Sequence, residues 1–336
     1  DLGVTLWQCG RGQEAVAQLE RTLSSGVPRH VEVDVLRVTQ AIRSDIGGIS
    51  LDMQLVRNSN PAQTTQADRI VIQGREYALS RHSTSRGAYG LMVIADARYP
   101  LLDQWRLFSA TRLEHVDYPG AEADFSYLGS TIGTKQRFGT HSASFEAGAH
   151  IARYQDQRLY HGSVWRIADE WLLSPSLVLG GAFDSKQLHY AEYRHLDGWQ
   201  FTSALTARYV FAPNLSGQFG VSHVRQTATN PAYAFTGPVY SSAIQYEHSD
   251  GWLLGARFDR SKSRYQADDP VFGERRVDQR QTVEFSLGHV NLSRLLGLQA
   301  SGLTPVLLLG STRSASTIDL YDYRRNFISL ALRKTY

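Results

Sequence analysis

From Ile49 onward the chain alternates apolar and polar positions with a period of two. Ile49, Leu51, Met53 and Leu55 are interleaved with Ser50, Asp52 and Gln54. Tyr89, Leu91, Val93, Ala95, Ala97 and Tyr99 are interleaved with Gly90, Met92, Ile94, Asp96 and Arg98. The pattern returns at Ala143–Ile151, Trp199–Phe211, Trp252–Phe258 and Val283–Leu287. Successive strand residues point to opposite faces, so each segment predicts a strand with one large apolar face and one small or polar face. Carried along the chain, the pattern predicts strands at 49–57, 88–98, 104–114, 124–137, 142–154, 157–168, 172–184, 197–211, 215–227, 237–247, 251–262, 277–290, 300–312 and 324–336.

The alternation alone would also suit a soluble β-sandwich. Length separates the two, because these segments run to about 10 residues or more, where soluble strands average about 5–6. Aromatics also bracket the apolar faces, as Tyr89 with Tyr99, Trp199 with Phe211 and Trp252 with Phe258. That is where membrane interfaces place aromatic girdles. The predicted fold is an all-β transmembrane barrel of about 14 antiparallel strands. An even count returns the chain to the end where it began. Short connections follow strands 2, 4, 8 and 10, and longer ones follow most odd strands, notably 58–87. Short periplasmic turns and long outer loops give this asymmetry in bacterial outer membranes.

The N-terminal part has a different period. Ala15, Val16, Leu19 and Leu23 recur at helical spacing, and Val31, Val35, Val38 and Ile42 suggest a second helix from about His30 to Ile42. Gly26 and Pro28 separate them, and Gly47-Gly48 marks the change to strands. The expected organisation is a helical stub over 1–46, on the periplasmic side, and a barrel over 47–336.

Composition fits this architecture. The chain has 17 Tyr, 13 Phe, 6 Trp and 28 Gly, and aromatics make up 11%. No apolar run approaches the ~20 residues of a spanning helix. A net charge of +3 gives no reason to expect a nucleic-acid partner, and the single Cys9 excludes an internal disulfide framework. The chain starts at Asp1 without Met, which reads as a processed or truncated form.

Candidate chemistry is confined to the polar face. Asp52, Asp96, Arg98, Arg106, Arg112, Glu114, Glu146, Arg208, Arg257, Asp259 and Glu284 fall inward by alternation. Both signs occur, so the wall should not select strongly for anions or cations. Such charges either pair and stiffen the wall or make a wet, weakly adhesive conduit. The long connection 58–87 carries Ile70, Ile72, Tyr77 and Leu79, too apolar for free solvent, and is expected to fold into or over the mouth as a gate. The rival arrangement extends the neighbouring strands above the membrane. Catalytic signatures such as Gly-x-Ser-x-Gly, His-Glu-x-x-His or a phosphate-binding loop are lacking, and no enzyme or cofactor is expected. His141-Ser142 reads as a polar turn and Asp268-Asp269 as a solvated loop.

Several motifs together resemble the surface lipoprotein assembly modifier (Slam) family, also described as type XI secretion translocators. Gly12, Glu14, Ala15 and Pro28 look like a final tetratricopeptide (TPR) repeat, though a single repeat cannot bury its own face. Asn58-Ser59-Asn60-Pro61-Ala62 after the first strand, Trp171-Leu172-Leu173-Ser174-Pro175 mid-barrel and Asp322-Tyr323-Arg324-Arg325-Asn326 before the last strand resemble family segments. Ile328, Leu330, Leu332 and Tyr336 form an outward stripe ending on an aromatic, similar to the assembly signal of outer-membrane barrels. The resemblance implies an outer-membrane translocator exporting specific lipoproteins or soluble haemophore-like proteins. It implies as partners the cargo, outer-membrane lipids and the barrel-assembly machinery, with periplasmic chaperones as further candidates. The chain departs from the family in its near-absence of repeats. A polysaccharide-export barrel and a passive porin are the alternatives; the helical stub disfavours the porin.

Overall fold

A computed structural model describes residues 2–8, 12–24, 31, 35, 38, 39, 42, 48–79, 87–102, 107–121, 123–174, 176–212, 214–289, 292, 296 and 303–334. Two short helices come first, α1 (Leu2–Gln8) and α2 (Gly12–Ser24). Ala15 and Leu19 of α2 are buried with Ile42, against Leu6, Trp7, Val16, Val35 and Val38. Within 30–42, Val31, Val35, Val38, Thr39 and Ile42 are helical; the other positions of that stretch lie outside the described residues.

The strands follow. β1 spans Gly48–Asn58, and a small hairpin is built of β2 (Arg69–Ile72) and β3 (Arg75–Ala78). Then come β4 (Ala88–Leu102), β5 (Leu107–Asp117), β6 (Phe125–Phe138), β7 (His141–Tyr154) and β8 (Gln157–Ser174). β9 (Leu177–Tyr190), β10 (Gly198–Ala212), β11 (Leu215–Gln226) and β12 (Phe235–Glu247) continue the wall. β13 (Trp252–Asp268), β14 (Arg275–His289), β15 (Thr304–Ser316) and β16 (Tyr323–Lys334) complete it. β1 and β4–β16 form a closed antiparallel barrel of fourteen strands, with β1 hydrogen-bonded to both β4 and β16. Closure leaves no strand edge unpaired, which a sheet in hydrocarbon requires.

Alternation sorts the two faces. Leu55, Leu205, Phe219, Phe285 and Leu330 project outward and are mostly exposed, Leu205 by 70%. They have no protein to pack against, and lipid is the solvent that suits them. Gln54, Val56, Leu308 and Ala331 take the other face and are buried. The start of β1 and the end of β16 lie at one end of the barrel, here the terminus end. The connections 59–87, 118–124, 191–197, 227–234, 269–274 and 317–322 lie at the opposite rim.

Several boundaries differ from the alternation pattern: β4 runs on to Leu102, β13 to Asp268, and β15 lies over 304–316 instead of 300–312. β8 continues to Ser174, six residues past the expected 168, and β9 runs over 177–190 instead of 172–184. The expected strands leave 169–171 as their connection. In the barrel Glu170 faces inward opposite Gly180, and the chain turns instead beyond Ser174. Asp269 is likewise no solvated carboxylate: it is buried and accepts hydrogen bonds from the N–H groups of Val271 and Phe272.

Candidate functional site

The register places Asp52, Asp96, Arg98, Arg112, Glu114, Glu146, Arg208, Arg257, Asp259 and Glu284 on the inner face. Arg106 lies outside the described residues. Most of these charges meet an opposite one. Arg98 Nη2 is 2.8 Å from Glu146 Oε1, a contact that reaches from β4 across β5 and β6 to β7. The Thr131 hydroxyl donates to the second Glu146 oxygen at 3.2 Å. The Arg98 guanidinium also lies 3.9 Å from the Phe108 ring centroid. Gly133 makes room for that ring, since a Cβ there would come within 2.7 Å of it. Arg112 is 3.2 Å from Asp96 and 3.6 Å from Glu114, and Arg257 is 2.7 Å from Asp259. Glu284 stands directly opposite Arg257 in the register.

Sequence reasoning missed several partners. Arg166 pairs with Asp184 at 3.0 Å, Arg208 with Glu170 at 3.0 Å, and Arg333 with Asp52 at 3.0 Å. The alternation of β8 and β9, read through to their true ends, puts Arg166, Glu170 and Asp184 on the inner face one by one. A cavity of about 710 Å³ opens along this arc, lined by these ion pairs and by small residues such as Gly180, Ala182 and Ala204. Nearer the rim, Tyr127, His150, Tyr160 and Tyr190 form an inward aromatic row with ring centroids 5.4–5.9 Å apart. Chemically the chamber offers many hydrogen-bonding groups whose charges are locally cancelled. Among the described residues no group of three or more His, Cys, Asp or Glu could hold a metal ion.

Replacing Glu146 with Ala is expected to cost about 2–3 kcal/mol, below the roughly 3–5 kcal/mol of a fully buried pair because the lumen is wet. It should also shift the reversal potential of the reconstituted pore towards anions. A denaturant midpoint in detergent and a planar-bilayer recording check the two effects.

The rim is asymmetric. After β1 the chain tucks inside the wall: the Tyr323 hydroxyl, on the inner face of β16, donates to Gln63 at 2.7 Å. Asn60 is fully buried, and its amide donates to the carbonyls of Thr64 and Arg324 at 2.7 and 3.3 Å. Thr65 donates to the Asp319 carbonyl at 2.8 Å. The hairpin β2–β3 is a separate two-stranded sheet, not an extension of the barrel strands. It turns at Gln73-Gly74, both with positive φ, and Gln73 Nε2 is 3.4 Å from the Val271 carbonyl. Ile70 is buried, Ile72 and Leu79 are half-buried, and Tyr77 is 47% exposed. On the opposite side β7 and β8 join through Gln155-Asp156 alone. Asn60→Ala should remove about 2–3 kcal/mol from this tuck, from the loss of several buried hydrogen bonds. Faster cleavage of the 59–79 segment by added protease reports it.

Farther round the rim, the Tyr190 N–H donates to Asp197 at 2.7 Å, and Arg194 lies 3.5 Å away. Burial pushes the Asp197 carboxyl up, but these hydrogen bonds prevail and hold it below the ordinary carboxylate value. A depressed carboxylate stabilises above its unfolded value, so this contribution is complete at neutral pH and disappears as the pH falls into the acid range.

The last stretch of chain closes the outer stripe: Ile328 and Leu330 face outward, opposite Arg57 and Leu55 of β1, and Leu332 lies opposite Met53. Tyr336 lies outside the described residues.

The model of one protein family, described as Surface lipoprotein assembly modifier, matches residues 50–336, the whole barrel from the third residue of β1. The chain belongs to that family. Solved structures similar to this family member include a deletion mutant of TodX, a monoaromatic hydrocarbon channel, with a TM-score of 0.50 and 10% identity. That likeness covers 89% of this chain and 92% of the other. The outer membrane channel DcaP of Acinetobacter baumannii has a TM-score of 0.47 at 8% identity, covering 86% and 97%. A loop-deletion mutant of OmpT from Vibrio cholerae has 0.43 at 11% identity, covering 86% and 99%. At such identities the likeness is one of fold alone. No curated protein matches the chain in sequence.

Proposed function

We propose that this family member is an outer-membrane translocator that delivers specific lipoproteins, or soluble haemophore-like proteins, to the cell surface. The observation that carries the reading is the family match over the whole barrel, together with an inner wall most of whose charges are paired. A wall of paired charges hydrogen-bonds a passing polypeptide without trapping segments of either sign, whereas a single-sign ring would select ions. In this reading the terminus end faces the periplasm, the helices α1 and α2 close a TPR array there, and the 59–79 segment gates the surface mouth. The barrel-assembly machinery inserts the chain, and periplasmic chaperones bring cargo to it.

Comparison of surface-labelled proteomes of a wild-type and a deletion strain tests this. One or a few lipoproteins should vanish from the surface while their total amount persists in the periplasm. Loss of surface polysaccharide with lipoproteins unchanged would support the polysaccharide exporter instead. General loss of small-solute uptake would support the porin.

A further inference from the structure

Resting on the lipoprotein-export reading, we propose that the β1–β16 seam opens sideways to let the acyl chains of a lipidated cargo stay in the bilayer while its polypeptide crosses the lumen.

Three features of the structure lead there. The first is covalent. Every other neighbouring pair in the barrel is consecutive and is joined by a connection at one end, including β1 and β4 through 59–87. Only β1 and β16 meet without one, so this seam can part without stretching a turn.

The second is how the seam is held. Eight residue pairs are matched, from Leu51 with Lys334 to Asn58 with Phe327. Side chains on the inner face add a latch: Gln54 and Ser329, both buried, are hydrogen-bonded at 3.1 Å. Asp52 Oδ2 receives both Gln54 Nε2 and Arg333 Nε at 3.0 Å. Asp52 Oδ1 is buried with no partner among the described residues. A buried carboxylate oxygen left without a hydrogen-bond donor is costly to keep. Opening lets water reach that oxygen, which offsets part of the cost of breaking the latch.

The third is the inner surface beside the seam. Val56, Met92, Ile94, Val306, Leu308 and Ala331 all face inward there. Val56, Val306, Leu308 and Ala331 are buried. From β4 round to β10 the inner wall carries a run of ion pairs and the polar chamber, and β13 adds Arg257 with Asp259. Acyl chains drawn through that chamber would lose a favourable lipid contact with each methylene. The apolar stripe lies where chains remaining in lipid would pass the wall.

A cross-link tests the proposal. Leu55 and Leu330 are matched directly across the seam on the outer face, and Leu113 and Leu128 are matched in the same way between β5 and β6. Each pair is changed to cysteine in a Cys9→Ser background, in the native host, and export is followed for an acylated lipoprotein that the deletion strain fails to display. Oxidation of L55C/L330C should cut its surface display more than tenfold, with recovery on reduction. Oxidation of L113C/L128C should leave display unchanged. If L55C/L330C fails to assemble when reduced, M53C/L332C at the next matched outward pair takes its place. Exchange of the cargo's lipoprotein leader and cysteine for the leader of a soluble periplasmic protein, which removes the acyl chains, should restore export through the locked barrel. Normal display of the acylated cargo through a locked seam overturns the proposal and leaves the export reading intact. A wild-type barrel on which no lipoprotein depends overturns both.

Discussion

Deletion of residues 328–336 should abolish assembly, lowering heat-modifiable protein in the membrane fraction by roughly tenfold or more, because two open sheet edges then face lipid. β16 pairs with β15 over Tyr323–Arg333 and with β1 over Phe327–Lys334. The deletion removes most of both ladders at once. Backbone groups freed in hydrocarbon have no water to turn to, so the loss is not graded as it is for a surface strand of a soluble protein. The outward Ile328, Leu330 and Leu332 also vanish, with the stripe that resembles an assembly signal. Semi-native electrophoresis of the membrane fraction measures the outcome. Normal levels of the folded, heat-modifiable form would mean that the barrel closes by some other pairing.

Replacement of residues 62–84 by a short Gly-Ser linker should raise single-channel conductance by about threefold, since conductance follows the narrowest cross-section of the pore. Gln63, Thr65 and Asn60 tie this segment to the inner face and loop of β15–β16, so its bulk stands within the rim. The hairpin beyond it leans towards loop 269–274 through Gln73. Tyr77 remains largely exposed, so the occlusion that the replacement removes is ascribed to residues 62–66 and Ile70 more than to the tip. Planar-bilayer recording gives the readout. Unchanged conductance with export intact would remove the gate from the mechanism.

The barrel was legible because its physics is repetitive. A strand with lipid on one side and water on the other must alternate, and β1 from Ile49 to Leu55 and β7 from Ala143 to Ile151 do so without interruption. Legibility failed where strands leave the membrane. At the end of β8 Trp171, Leu172 and Leu173 are apolar in succession, and in residues 262–268 of β13 polar groups occur on both faces, so the alternation fades while the strand continues. The hairpin at 69–78 carried a signal that was passed over: Gln73-Gly74 between Ile72 and Arg75 is a two-residue turn of the kind that glycine favours. Inward charges could be identified singly by parity, but their pairing could not. Arg98 meets Glu146 from three strands away, and that contact depends on the tilt and stagger of the closed sheet.

The uneven rim has a geometric consequence of its own. The tuck at 59–66 and the hairpin stand beside β1 and β16, whereas across the mouth β7 and β8 are joined by two residues. The shortest connection of the rim is thus the β7–β8 turn, and the longest lies beside the seam. A chain that emerges past the 59–66 tuck is crowded on the seam side and would lean towards the β7–β8 lip. The first folding steps of whatever leaves the pore would then take place beside that lip, away from the seam.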